Sequence, residues 1–554
     1  MGKRVGRVLG LMILAVLGQV SAQQSGTGGA GTVDSTLSVV RGDAIRGHMR
    51  FLADPLLEGR APDGRGYAIA ARYVQAELEG MGLKPAGTEG GWYQQVPLRK
   101  AVADGAKSSM SLSGASGDRT LVNAQDYIFN PSMTEAESTV AAPVIFVGFG
   151  VTAPDQHYDD YTGADVKGKI VVMIAGAPAK FPSEVRAYYS DGLVKGRTAV
   201  AHGAVGVLEF QLPEDWKRYT WDWLVPQIQA GDMRWVEESG AVHDAFPQLR
   251  GHALLSEKGA AALFAGSPKT LDDIYQAART GKVKAFALPV TVHMKTVSTI
   301  TDVKSPNIAA RLDGSDAHLK DEYVVYTAHL DHLGICPPAN GDSICHGAVD
   351  NASGTASLLE IARAYTQLAQ APRRSVLFIF VTGEEMGLLG SDYFAWHPTV
   401  PQKKIVANVN VDEAPGIYYA MKDVVPMGSE HSSLGKTVAE QAARMGYSLS
   451  PDPMPEEVGF IRSDQYSFVL RGIPAVQIVD GVKAVDPKVD GLSVLKKWLA
   501  TRYHTPLDNM EQPLDYDSAA KGARLNFLLG YAVAQQEDAP TWNSGDFFGL
   551  TFGK

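Results

Sequence analysis

An α/β fold with a mostly parallel central sheet flanked by helices, carrying an inserted β-rich domain, is predicted for this 554-residue chain. Three observations predict it. Between about 293 and 535, the apolar runs YVVYTAH, SVLFIFVT, IVANVNVD and IPAVQIVDG read as strands buried on both faces. Amphipathic runs stand between them: SSLGKTVAEQAARMG, and SGTASLLEIARAYTQLA with Leu358, Ile361, Ala362, Tyr365 and Leu368 on one face. From about 110 to 292 the texture changes to short β-like runs (TVAAPVIFVGFGV, KIVVMIAGA, AVGVLEF) between Gly/Pro/Asp loops, with a Trp-rich segment, EDWKRYTWDWLVPQI.

Taken in order, residues 1–22 have a basic start (Lys3, Arg4, Arg7), an apolar stretch and a small-residue site ending at Ala22. This is the pattern of a secretory signal peptide, too short in its apolar part to span a bilayer. Residues 23–36 form a Gly/Ser/Thr-rich leader. Residues 37–110 include a predicted helix over 68–83, with Ala71, Tyr73, Val74, Leu78 and Met81 near one face and Gly82 just beyond. The β-rich insertion occupies 111–292, the main α/β unit 293–536, and a tail 537–554. The net charge of −10 gives no reason to expect nucleic-acid or anionic-membrane binding. The two cysteines, Cys336 and Cys345, lie close together, and an exported chain predicts a disulfide between them. The mature chain is expected to be periplasmic or secreted, with no membrane association after signal cleavage.

In open α/β sheets, sites form outside the carboxyl ends of the strands. Those ends supply His329, Asp331 and His332, then Glu384 and Glu385, then Asp412 and Glu413; loops add Asp350, Tyr503, His504 and Asp508. Singly, each has an ordinary explanation, a packed imidazole or a helix N-cap. Together they bring like charges to one cleft, which is costly unless a cation is held there. Imidazole with carboxylate suits zinc. Two imidazoles and three acids make two three-ligand sites if one carboxylate bridges, because paired ions lie about 3.5–4 Å apart.

The motifs AHLDHLG, GAVDNASG, TGEEMGLLGS, NVDEAPG and YHTPLDN, in that order, resemble those of co-catalytic dizinc aminopeptidases of the Vibrio and Streptomyces leucine aminopeptidase type. The early LLEGR…GYAIAARYVQAELEGMGLKP extends the resemblance, and YDDYTGADVKGKIVV is similar to the protease-associated domain that many members carry as an insertion. The resemblance implies two Zn2+ ions per chain, His329 and Asp412 on one, Glu385 and His504 on the other, with Asp350 bridging. It implies Glu384 as general base toward a water shared by the two ions, Asp331 orienting His329, and Tyr503 as a donor to the oxyanion. His332 and Glu413 match no ligand position. Gln465 departs from the pattern, standing where relatives often have His. The expected activity is removal of N-terminal residues from peptide substrates; oligomeric state is not legible.

Three other readings remain open at this level. A carboxypeptidase or dipeptidase of the same fold needs a cationic pocket, for which Arg462 and Arg471 are candidates. A glutaminyl cyclase keeps one zinc, and a non-catalytic binding protein loses ligands or base; the set here is complete. GADVKGKI has a phosphate-loop skeleton, but Ile170 replaces the needed Ser/Thr. Neither H-E-x-x-H nor G-x-S-x-G occurs.

Overall fold

The structure, a computed structural model, describes residues 33–114 and 117–553, so the predicted signal peptide and most of the leader lie outside the described residues. The central sheet is built from β1 (Tyr93–Ala103), β2 (Phe286–Leu312), β3 (Tyr323–His329), β4 (Ser375–Val381), β5 (Ile405–Asn410), β6 (Asp423–Met427) and β7 (Ala475–Asp480). Among these seven strands the order is β1-β2-β4-β3-β5-β7-β6. The inner pairs β4/β3, β3/β5 and β5/β7 are parallel, and the outer pairs are antiparallel. Strands β3, β4 and β5 are buried along their whole length. Their runs of Val, Ile, Phe and Tyr without Pro or Gly suit a strand covered on both faces.

Among the helices that cover the sheet are α1 (Gly42–Leu52), α2 (Arg65–Gly80), α3 (Gly354–Thr366), α4 (Leu434–Arg444) and α5 (Tyr516–Gln535). Helix α2 turns Tyr67, Ala70, Ala71, Val74 and Leu78 inward, and α3 buries Leu358, Ile361, Ala362 and Tyr365 in the same core. At about 1.5–3 kcal/mol for each large apolar side chain fully buried, this layer is the main stabilising term of the α/β unit.

A second core is drawn from residues between Met110 and Met294. Its strands run Arg119–Leu121, Ser109–Gly114, the first half of β2, Glu137–Phe146, Ile170–Ile174, Gly206–Phe210, His252–Leu255 and Tyr127–Phe129. No linker separates the two units near 292. The 27-residue β2 runs through that point, pairing Phe286–Val297 with the inserted sheet and Ser298–Ile308 with β1. A strand can serve two sheets in succession because its edge hydrogen bonds are local to each residue.

His431 clasps three parts of the chain. Its Nδ1 lies 2.6 Å from Asp546 Oδ2 in the C-terminal segment, and its Nε2 contacts Glu184 of the inserted domain. Burial opposes the charged imidazole, but the hydrogen bonds and charges of Glu184 and Asp546 raise its pKa to about 9. A folded-state pKa above the unfolded value of about 6.5 means that the clasp stabilises fully below that pH and is lost as pH rises through about 9. Thermal unfolding followed across pH 7 to 10 should therefore show a steeper loss of Tm for the parent than for His431→Gln. Parallel declines in the two proteins would contradict the clasp.

Candidate metal centre

Parallel register sets the site. His329 pairs with Val381 and Thr327 with Asn410, so β3, β4 and β5 end side by side. His329 closes β3, the turn after β4 presents Glu384 and Glu385, and Asp412 follows β5. Asp350 lies in the turn that feeds α3, where the Asp350–Asn351 peptide is cis. Tyr503 and His504 arrive from a loop after the helix Gly491–Thr501.

Asp350 stands at the centre. Its Oδ1 is 3.2 Å from His329 Nε2, and its Oδ2 is 3.3 Å from His504 Nε2. Around this axis His329 Nε2 lies 3.0 Å from Asp412 Oδ1, and His504 Nε2 lies 3.0 Å from Glu385 Oε2. Glu384 Oε2 is 3.9 Å from His329 Nε2. His329 is fully buried, and Asp350 and Glu384 nearly so. The predicted set His329, Asp350, Glu384, Glu385, Asp412 and His504 is thus brought into one cluster.

Electrostatics separate the two glutamates. Burial pushes the Glu384 carboxyl well above the usual range, and Asp412 and Glu385 add to it against His329. Burial and Asp350 push Glu385 the same way, but His504 and His332 prevail and hold it at about 2. Asp350 is held well below the carboxylate range, because the neighbouring imidazoles overcome burial. One glutamate is therefore anionic and committed, and its neighbour retains affinity for a proton.

The cluster fits a metal. The buried Nε2 of His504 makes no hydrogen bond, although two carboxylate oxygens lie within 3.3 Å of it. An orphaned imidazole nitrogen aimed between two carboxylates has the donor character of a ligand. His329 with Asp350 and Asp412 is likewise close enough to share one ion.

Some expectations change. Asp331 does not hold His329 through its carboxylate, which is 3.9 Å from Nδ1; that nitrogen faces the Asp331 backbone carbonyl at 3.3 Å. The carboxylate instead accepts the backbone N–H groups of Glu384 and Glu385 at 3.2 and 3.3 Å, so Asp331 positions the glutamate turn. His332, assigned no role from sequence, places Nδ1 2.5 Å from Glu385 Oε1. Glu413 lines the adjoining pocket of about 200 Å3 with Glu384, Asp412 and Tyr503. Gln465 points into structure, accepting from Asn410 at 3.1 Å and donating to the Phe460 carbonyl at 2.8 Å. Tyr503 stacks on His504, ring centroids 3.7 Å apart, and accepts from Arg462 at 2.9 Å. Arg471 lies elsewhere, over the Trp396 ring in a separate interdomain cavity of about 830 Å3.

Three supporting residues escaped the sequence reading or its role assignments. Arg60, buried, donates to the carbonyls of Leu330, Leu52, His346 and Gly347, tying the chain's first segment to the loops of His332 and Asp350. Asp508 accepts from the backbone N–H of Val349 at 3.0 Å and of Asp350 at 3.1 Å, coupling the Asp350 turn to the His504 loop. Ser463 donates to Asp412 Oδ2 at 2.5 Å. The LLEGR segment is the signal for Arg60, but three of its four partners, the carbonyls of Leu330, His346 and Gly347, lie hundreds of residues away. The predicted disulfide is present between Cys336 and Cys345, on the hairpin that follows His332.

Residues 307–529 match the sequence model of peptidase family M28. Probable leucine aminopeptidase 2 of Aspergillus fumigatus is 29% identical over 201 residues, 35% of this chain and 37% of the relative. The chain thus spans little more than a third of that relative's length. Aminopeptidase YwaD of Bacillus subtilis is 26% identical over 73% of this chain and 69% of its own. The aminopeptidase from Aneurinibacillus sp. strain AM-1 superposes with a TM-score of 0.54 at 17% identity, covering 90% of this chain and 95% of that one, which shows a common fold. Over residues 307–529, then, the chain is similar to peptidase family M28.

Proposed function

We propose that this chain is an exported zinc aminopeptidase that removes N-terminal residues from peptides, with two Zn2+ ions per chain. The observation that carries the reading is Asp350, whose two oxygens each face a different imidazole, within 3.2 and 3.3 Å. His329 and Asp412 would hold one ion, Glu385 and His504 the other, with Asp350 between them. Zinc there would supply Lewis acidity, polarising a carbonyl and acidifying water. Relatives named aminopeptidases support the peptidase reading.

The chain's own residues do the proton work. Glu384, with its raised proton affinity, takes a proton from the attacking water and returns it to the leaving amine. Tyr503, its oxygen held by Arg462, turns its hydrogen toward the forming oxyanion. Asp331 fixes the backbone that carries Glu384. Acids outnumber cations in the lining of the pocket beside the site, which supports an ammonium over a carboxylate as its occupant. Glu413, Asp452, Glu457 and Asp480 line it, with Arg462 as the cation among the lining residues. Arg462 is nonetheless the feature that favours the carboxypeptidase alternative. The Cys336–Cys345 disulfide supports a periplasmic or secreted location, and the inserted unit is assigned as a protease-associated domain.

Mass spectrometry of an unblocked ten-residue peptide, incubated with the enzyme, tests the polarity. A ladder shortening from the N-terminus is expected, and Glu384→Gln should slow it by about 10^2–10^4-fold with zinc content unchanged. Shortening from the C-terminus would reverse the assignment. Asp508→Ala, which releases the Asp350 turn, should weaken zinc binding about 10–100-fold in competition with a chelator. Unchanged affinity would remove Asp508 from the metal account.

A further inference from the structure

Arg462 stands where the inserted domain meets the pocket. One end of its guanidinium donates to the Tyr503 oxygen at 2.9 Å, and the other donates to the Tyr219 oxygen at 3.0 Å. Tyr503 flanks His504 and lines the pocket with Glu384. Tyr219 belongs to the Trp-rich segment of the inserted domain, nearly 250 residues away in sequence, 243 from Arg462. Its own hydroxyl donates to Glu457 Oε2 at 2.5 Å, while the adjacent Arg218 donates to Glu457 Oε1 at 3.2 Å and to the Glu456 carbonyl at 2.8 Å. The segment is anchored behind by Trp221, which donates to the Ala124 carbonyl at 2.8 Å.

This arrangement resolves a competition. Arg462 Nη1 is 3.8 Å from Glu457 Oε2, close enough for a direct ion pair. Such a charge-assisted bond is roughly twice as strong as one to a neutral phenol. Unopposed, the guanidinium would close on Glu457 and leave Tyr503. Tyr219 stands between the two charges: it occupies Oε2 with its proton and takes the Nη1 hydrogen on its oxygen. Arg462 is thereby left reaching for Tyr503, and the Tyr503 hydrogen is left for another acceptor.

We propose that Tyr219 of the inserted domain is a positioning residue for the peptidase reaction, holding Arg462 off Glu457 so that Arg462 orients the Tyr503 hydroxyl. The inference rests on the aminopeptidase reading and adds to it a working part supplied by the second domain. A double-mutant cycle tests it, with kcat, KM, zinc content and Tm measured for each protein. Tyr503→Phe should lose about 10^2-fold in kcat, the scale of one oxyanion donor. Tyr219→Phe should lose roughly tenfold in kcat, with KM, zinc content and Tm unchanged, since an oriented donor acts on the transition state. In the Tyr503→Phe background, Tyr219→Phe should cost nothing further. Adding Glu457→Gln to Tyr219→Phe should restore most of the lost kcat, because the competing charge is gone.

Parent-like kcat for Tyr219→Phe, or the same loss repeated in the Tyr503→Phe background, would overturn the inference while Tyr503→Phe and Glu384→Gln still report on the reading beneath it. Parent-like kcat for Tyr503→Phe would overturn the inference as well. A zinc-loaded parent that cleaves no peptide would sink both.

Discussion

Carboxylates gathered at the carboxyl edge of a buried parallel sheet repel one another, and the fold around that edge answers the repulsion. Asp331, Asp350, Glu384, Glu385 and Asp508 are all removed from solvent, and Asp412 nearly so. Burying one such charge unpaired costs several kcal/mol. The imidazoles of His329, His332 and His504 and the guanidinium of Arg60 are the groups that face them. Arg60 spends its hydrogen bonds on carbonyls and contributes only at a distance. A divalent cation would be the physical complement to such a cluster.

The second requirement is rigidity. Site side chains drawn from strand ends, a helix-leading turn and a C-terminal loop need a common frame, because misplacing a catalytic group by about 1 Å can cost 10^2-fold in rate. The frame is made of side chains bonded to backbone. Asp508 binds the Asp350 turn, Asp331 binds the glutamate turn, and Arg60 binds the loops on either side of the disulfide hairpin. The inserted domain joins through continuous β2 and through His431, so it is held against the α/β unit at several points.

What the sequence made legible follows from locality. The strands at 323–329 and 375–381 carry unbroken apolar runs, and the acids and imidazoles that close them are adjacent in the chain, so His329, Glu384, Glu385 and Asp412 could be read directly. Helix α2 was expected at 68–83 and spans Arg65–Gly80, the usual uncertainty of an end without a strong cap. Long-range partners were not legible. Nothing in LLEGR tells which carbonyls Arg60 will reach, and nothing in AHLDHLG distinguishes an Asp331 that orients His329 from one that carries a neighbouring turn. His332 matches no ligand position in the sequence motifs, because spacing cannot show that Nδ1 returns to Glu385. The texture of the sequence changes near 292, whereas the strand crosses that point and pairs with one sheet up to Val297 and the other from Ser298.

The measurement that bears most directly on this account is anomalous diffraction at the zinc edge from crystals of the full chain. Two peaks about 3.5–4 Å apart are predicted, one beside His329 and Asp412, the other beside Glu385 and His504, with Asp350 between them. A single peak, or an ion held by His332 in place of His504, would contradict it.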